Sequence, residues 1–346
     1  MVHFIGGAFA GASPQLTYRL FLEQLSDACG WVVVATPFST SFDHLRVADD
    51  AQFCFDRAVK LLGSRVPADL PVWGVGHSMG ALAHTLIASR YALKRSGLVL
   101  ISWNNKPASD AIPLFAPVIS PLAQTLSPLL AGLATSPFRP GAEALSARLR
   151  ATAPPAVREA LPLLDQLQPL SLDLVYGRTE FIPSPADTAR LVRSFYAAPR
   201  TLLVRFKDDG IDETPALAAT LAGAASAGEV TIDTLGGGHT RPLGQSLPPP
   251  PPQFVDALSQ GIAAAGALGS LAEAFGAPPA ALSMLRSSAD AAGKMVLDAS
   301  APGAADAAER DIAELVGVIA GWAARGDGDT TGGGVAGASS SPIIVA

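Results

Sequence analysis

The sequence predicts an α/β fold, a mainly parallel sheet flanked by helices with an inserted helical cap. Strand-like and helix-like segments alternate over the first two-thirds of the chain, the pattern of successive crossover units. A serine set between glycines, Gly76-His77-Ser78-Met79-Gly80, joins an apolar run to a helix-forming run. The alternation breaks only once, at a long proline-rich stretch, and then resumes.

Taken in order, Val2 to Ile5 reads as a buried strand. Leu20, Phe21 and Leu25 give helical spacing to Leu16 through Ala28, with Gly30 as the C-terminal stop. Trp31 to Ala35 is a strand ended by Pro37, and His44 to Leu62 is a helix. Val72 to Val75 is the strand before the serine, Met79 to Tyr91 the helix after it, and Leu98 to Ser102 the next strand. Beyond the interruption come a helix from Pro185 to Tyr196, a strand from Thr201 to Phe206, a helix from Pro215 to Leu221 and a strand from Glu229 to Thr234.

Domain boundaries follow the changes in composition. Residues 1–102 and 185–275 are expected to form the core, and 103–184 a cap of short helices. The cap contains an uncharged stretch from Ala111 to Phe138, which Pro113, Pro117, Pro121, Pro128 and Pro137 interrupt too often for a membrane span. Peripheral contact with a membrane through that apolar cap stays open. Pro248 to Pro252 form a stiff linker, followed by Ala-rich helical segments around Phe254 to Phe275, Ala280 to Leu297 and Ala304 to Ala324. One of these is expected to complete the layer against the sheet; those within 276–325 are set apart as C-terminal helices. Residues 326–346 lack periodicity and are expected to be disordered.

Composition narrows the function classes. The chain has 346 residues, 49% hydrophobic and only 16% charged, with a net charge of −6. Without a cluster of Lys or Arg it has no footprint for phosphate, and nucleic acid is not an expected partner. Cys29 and Cys54 have no spacing that suggests a zinc site or a disulfide framework, and read as buried thiols of a reducing compartment. No P-loop, dinucleotide fingerprint or metal-ligand spacing occurs, so neither cofactor nor metal is expected.

The serine is where chemistry is expected. In a strand-turn-helix elbow, a hydroxyl stands above the sheet at a helix N-terminus, provided that no Cβ at Gly76 or Gly80 collides with the neighbouring strand and helix. A hydroxyl needs a base, and the base needs an acceptor that fixes its tautomer. Of the five histidines, His239 follows the last strand in a glycine-rich loop, where parallel-sheet enzymes build sites. His77 belongs to the elbow and packs below the nucleophile. His84 packs or faces solvent, His3 lies in the first strand, and His44 caps a helix or lines the pocket. For the acid, three carboxylates follow the strand ending at Phe206, and Asp209-Gly210-Ile211 fits the expected frame best. Asp212 and Asp208 remain alternatives, Asp212 also as a support for the helix starting at Thr214-Pro215. Met79 N–H is one expected oxyanion donor. The other is Ala8 or Phe9, in the loop Gly6-Gly7-Ala8-Phe9.

Together these segments resemble the α/β-hydrolase superfamily, with Ser78, Asp209 and His239 in its order. More narrowly, Val2-His3-Phe4-Ile5-Gly6-Gly7-Ala8-Phe9, Ala35-Thr36-Pro37-Phe38, Phe42-Asp43-His44, Phe181-Ile182-Pro183-Ser184-Pro185 and Asp208 through Thr214 resemble the domain-of-unknown-function family thirteen-fifty of plants, algae and cyanobacteria. The resemblance covers about Val2 to Gly244. It implies an α/β-hydrolase fold and, for plant and algal members, a chloroplast location, and it implies no established substrate. The chain opens at the family's first matching strand, which is read as a shortened start with no transit peptide visible. The resulting expectation is a serine hydrolase for a small-molecule or lipid-like ester or thioester with an apolar acyl group. The contrasting expectation is an inactive scaffold or binding protein of the same fold in the plastid.

Overall fold

A computed structural model describes residues 1–67, 69–111, 173, 178, 180–244 and 304–325. Most of the expected cap, the Ala-rich segments at 254–275 and 280–297, and the tail at 326–346 lie outside the described residues. The elements are β1 (Val2–Ile5), α1 (Pro14–Thr17), α2 (Arg19–Cys29), β2 (Val33–Ala35), α3 (His44–Leu62), β3 (Trp73–His77), α4 (Met79–Arg90), β4 (Gly97–Ile101), α5 (Ala108–Ala111), α6 (Pro185–Phe195), β5 (Ala198–Phe206), α7 (Thr214–Ala222), β6 (Ala227–Leu235) and α8 (Ala304–Ala324).

Local chemistry sets several of these ends. Gly30, in the left-handed region at φ 63°, closes α2 by donating its N–H to Ser26 O. The Asp43 carboxylate accepts the Arg46 N–H at the start of α3, and Ser184 does the same for Asp187 N–H on α6, with Pro185 in the first turn. His44 is therefore not the cap. It is the first residue of α3, buried with its ring 4.3 Å from that of Phe181.

The six strands form one sheet in the order β2-β1-β3-β4-β5-β6, and every pairing is parallel. From β1 the chain steps outward to β2, then crosses back to lay β3 on the other side of β1. This reversal opens a crevice beyond the carboxyl ends of β1 and β3. The register Ile5↔Gly76 sets the loop starting at Gly6 beside His77 and Ser78.

Side chains alternate between two apolar layers, as the strand period requires. On one face Val2, Phe4, Val75 and Val99 pack with Phe21, Leu22 and Leu25 of α2 and with Ile312, Leu315, Val316, Ile319 and Trp322 of α8. On the other, Ile5, Leu98, Leu100 and Leu203 pack with α3, α4, α6 and α7. The spacing of the α8 residues is one helical stripe, and burying it makes α8 part of the core layer rather than a separate appendage. Arg200 of β5 fastens its end, lying 4.5 Å from the Trp322 ring and donating to Trp322 O at 2.8 Å. Cys29 and Cys54 are free and half-buried rather than buried, and burial pushes the Cys29 thiol up to about 11. Among the described residues no helix is long and apolar enough to cross a membrane.

Candidate active site

Ser78 occupies the turn between β3 and α4 at φ 55°, ψ −120°, a region that costs a non-glycine residue on the order of 1–3 kcal/mol. The surroundings enforce it. A Cβ on Gly76 would lie 2.4 Å from Gly80 O, and one on Gly80 would lie 2.0 Å from Ile5 O, so helix and strands close on each other through bare backbone. Ser78 N–H donates to Ile101 O at 2.9 Å, while Ser78 O accepts the Ala81 N–H at 2.9 Å and the Leu82 N–H at 3.2 Å.

The predicted base and acid meet this serine in one line. His239 Nε2 lies 2.9 Å from Ser78 Oγ, and its Nδ1 lies 2.8 Å from Asp209 Oδ2. A carboxylate only accepts, so Nδ1 carries the proton and Nε2 is left to receive the serine proton. The Asp209 side chain is fully buried and that of His239 is 23% exposed, so the imidazole is partly open while its acceptor is not. Burial alone would raise the Asp209 carboxyl; the hydrogen bond from His239, its charge, the Ile211 N–H and the nearby Ser102 hydroxyl outweigh it and leave the group below its ordinary range.

The alternative acids are placed elsewhere. Asp212 accepts the Thr214 hydroxyl at 2.6 Å and the Thr214 N–H at 3.3 Å, supporting the first turn of α7. Burial raises its carboxyl, and the neighbouring Asp209 charge adds to the effect. Asp208 is exposed and reaches the base loop through its backbone, donating N–H to Gly237 O at 3.0 Å.

Of the predicted oxyanion donors, Met79 N–H begins α4, where it has no carbonyl of its own helix to reach. Phe9 N–H is taken, donating to Thr40 Oγ1 at 2.9 Å. Gly7 N–H is also taken, donating to the Tyr18 hydroxyl at 2.7 Å. The intervening Ala8 N–H has no partner among the described residues. These bonds favour Ala8 over Phe9.

Four polar residues at the site have no signal in the sequence pattern. Asn104, beyond β4, donates Nδ2 to Ser78 Oγ at 3.3 Å. Glu213 joins that loop to the acid loop, accepting Asn105 N–H at 2.7 Å and donating its own N–H to Trp103 O at 2.7 Å. Tyr18 sits beneath the elbow. Arg241, whose side chain is 4% exposed, donates to Gly236 O at 2.6 Å and to Asp311 and Glu314 of α8 at 3.1 and 2.5 Å. The other histidines are internal. His84 is buried with Nε2 3.0 Å from His3 O, and His3 Nε2 lies 3.0 Å from Thr36 Oγ1. Among the described residues no cluster of three or more His, Cys, Asp or Glu could hold a metal.

A parallel sheet of this order, helices on both faces and a serine elbow at the switch point define an α/β-hydrolase fold. The chain matches the family described as "Protein of unknown function (DUF1350)" over residues 1–143 and 147–260, and belongs to it. No curated protein matches it. Among solved structures it is similar to one from work on LipS and LipT, two metagenome-derived lipolytic enzymes, with 17% identity over 70% of this chain and 86% of that chain and a TM-score of 0.39. A hydrolase from Oleispira antarctica is 12% identical over 70% of this chain and 85% of that chain, TM-score 0.39. A thermophilic esterase from Thermogutta terrifontis is 15% identical over 70% and 83%, TM-score 0.37.

Proposed function

We propose that the protein is a serine hydrolase that cleaves an ester or thioester through an acyl-enzyme on Ser78. The observation that carries this reading is the unbroken line from Ser78 Oγ through His239 to Asp209, at 2.9 and 2.8 Å. His239 Nε2 takes the serine proton as Oγ bonds to the acyl carbon. The carbonyl oxygen, now an oxyanion, is met by Met79 and Ala8 N–H groups at a helix N-terminus. His239 returns the proton to the departing alkoxide or thiolate. Water then repeats the sequence, giving its proton to His239, and the acid product leaves Ser78 free. Asp209 holds the Nδ1 tautomer and stabilises the imidazolium in both halves.

An apolar acyl group is the finer part of the proposal. It is supported by Phe9, 40% exposed on the loop that follows β1, and by the uncharged run from Ala111 to Phe138 in the sequence. The plastid location that the family resemblance implies is carried with it, and imaging of a fluorescent fusion tests it. Activity is tested with p-nitrophenyl esters from acetyl to palmitoyl. The expected result is turnover that improves with chain length and vanishes in Ser78→Ala. A parent protein that hydrolyses none of them and resists fluorophosphonates counts for the non-enzymatic scaffold instead.

A further inference from the structure

Beneath the elbow runs a buried chain of hydrogen bonds whose direction is fixed at every step. His77, 1% exposed, sets its Nε2 2.9 Å from the backbone oxygen of His239. A carbonyl only accepts, so Nε2 carries a proton. On the other side of the ring, Nδ1 lies 2.8 Å from the hydroxyl of Tyr18. A neutral imidazole has one lone pair, so Nδ1 accepts and the phenol donates. The Tyr18 oxygen, fully buried, in turn accepts the Gly7 N–H at 2.7 Å. Each donor meets one acceptor: Gly7 N–H to Tyr18, Tyr18 to His77, His77 to His239 O.

The ends of this chain give it a meaning beyond packing. Gly7 immediately precedes Ala8. His77 is the residue before Ser78. His239 is the proposed base, held here by its main chain while its side chain faces Ser78 and Asp209. The rings reinforce the arrangement, Tyr18 meeting His77 edge-on at 5.7 Å and His77 lying 5.0 Å from His239. Neutrality matters as well, because a cation at His77 would oppose the imidazolium that His239 must become. Burial, helped by the nearness of His239, pushes His77 down to about 3.

We infer that Tyr18 and His77 are positioning residues, a relay that sets the oxyanion loop and the base loop in register with Ser78 through two side chains that never touch substrate. The inference rests on the serine-hydrolase reading. It moves no proton in the reaction; it fixes where Ala8 N–H and His239 stand when the oxyanion forms.

The test uses the full chain and a fluorophosphonate probe, with folded fraction and melting temperature measured for each variant. Tyr18→Phe keeps the ring and removes the hydroxyl, leaving Gly7 N–H and His77 Nδ1 unpartnered. Its labelling rate is expected to fall about tenfold, the equivalent of one lost buried hydrogen bond, and kcat for a p-nitrophenyl ester to fall similarly with KM within about twofold. His77→Gln places an amide N–H near the Nε2 position and retains most of the rate; His77→Asn places its amide near Nδ1 and loses the bond to His239. Equal rates in the two, or Tyr18→Phe labelling as fast as the parent, overturn the relay. A parent that labels with neither Tyr18→Phe nor His77→Asn impaired refutes the relay alone, whereas a parent that never labels overturns the hydrolase reading and the relay's role with it. A measurement independent of variant folding and of turnover uses the 15N-histidine-labelled parent. Long-range proton–nitrogen spectra should show His77 as the Nε2–H tautomer, untitrated through neutral pH. An Nδ1–H tautomer overturns the inference.

Discussion

Ser78 is held by its near neighbours in the chain, whereas His239 and Asp209 are held by residues scattered across it. The elbow is made by Gly76, Gly80 and the first turn of α4, closed against the backbone of Ile5, Gly6 and Ile101. The base loop depends on His77 for the carbonyl of His239 and on Arg241, which bridges Gly236 to Asp311 and Glu314 far along the chain on α8. The acid loop is tied to it through Asp208 N–H and to the loop after β4 through Glu213. The Ser78 hydroxyl is presented mainly by local sterics, with backbone of the neighbouring strands closing the turn. Bringing a base and an acid to it requires contacts that only the finished fold supplies.

The largest effect is expected at the acid. Asp209→Asn leaves the distances but removes the charge that fixes the His239 tautomer, and kcat should fall about 10⁴-fold. Asp208→Asn should change it less than about twofold, because that carboxylate does not meet His239. Steady-state kinetics on one chromogenic ester decides between them, and equal losses would mean the acid is misassigned.

The next effect is steric. Gly80→Ala drives a Cβ to within 2.0 Å of Ile5 O, so it should cost at least about 3 kcal/mol in denaturant melts or prevent folding outright. A stable Gly80→Ala protein would show that the elbow is not set by close approach.

Arg241→Ala sharpens the other half. It strips the side-chain bridge from α8 to the base loop and leaves Gly236 O without that donor. A stability loss of about 2 kcal/mol is expected, accompanied by a fall in labelling rate, with Arg241→Lys intermediate. A variant that loses stability while its folded fraction labels at the parent rate would show that α8 serves the core and not the site.

Per group and per pH unit, the smallest effect is that of acid. His3, His44, His77 and His84 are all buried, and desolvation lowers each of them: His44 to about 4, His77 and His84 to about 3, and His3 well below its ordinary value. Unfolding therefore takes up protons below 6.5, the ordinary histidine value. Stability is complete above that pH and falls as pH drops towards the folded values, by up to about 1.4 kcal/mol per pH unit for each group. Asp209, lowered from 3.8, shifts in the same direction, but in a lower pH window. Its contribution is intact above 3.8 and is lost only as pH falls further. Chemical denaturation at neutral and mildly acid pH should show the loss, and a flat profile would contradict the buried neutral rings.

The same division decides what the sequence revealed. The spans of α3 and α8 agree with the expectation at both ends, one with an Asp43 cap and both with a helical apolar stripe. Strand β5 begins at Ala198 rather than Thr201, because Ala198 pairs with Ala227 and Arg200 with Glu229; such pairing belongs to the neighbour and not to the segment. His239 and Asp209 could be proposed because each stands at a strand end in an order already implied by the elbow. Asn104, Tyr18 and Arg241 could not, since each is a single polar residue whose partner lies in another part of the fold. His77 was expected to pack below the nucleophile, and it is buried there, but its two bonds depend on Tyr18 and the His239 backbone.

Every step of the proposed reaction depends on Ser78 being the nucleophile. Intact-mass spectrometry followed by peptide mapping after treatment with a fluorophosphonate addresses it directly. A single adduct is expected on the peptide carrying Gly76-His77-Ser78-Met79-Gly80, absent in Ser78→Ala and slowed strongly in Asp209→Asn. No adduct on the folded parent, or one borne by a different residue, would contradict it.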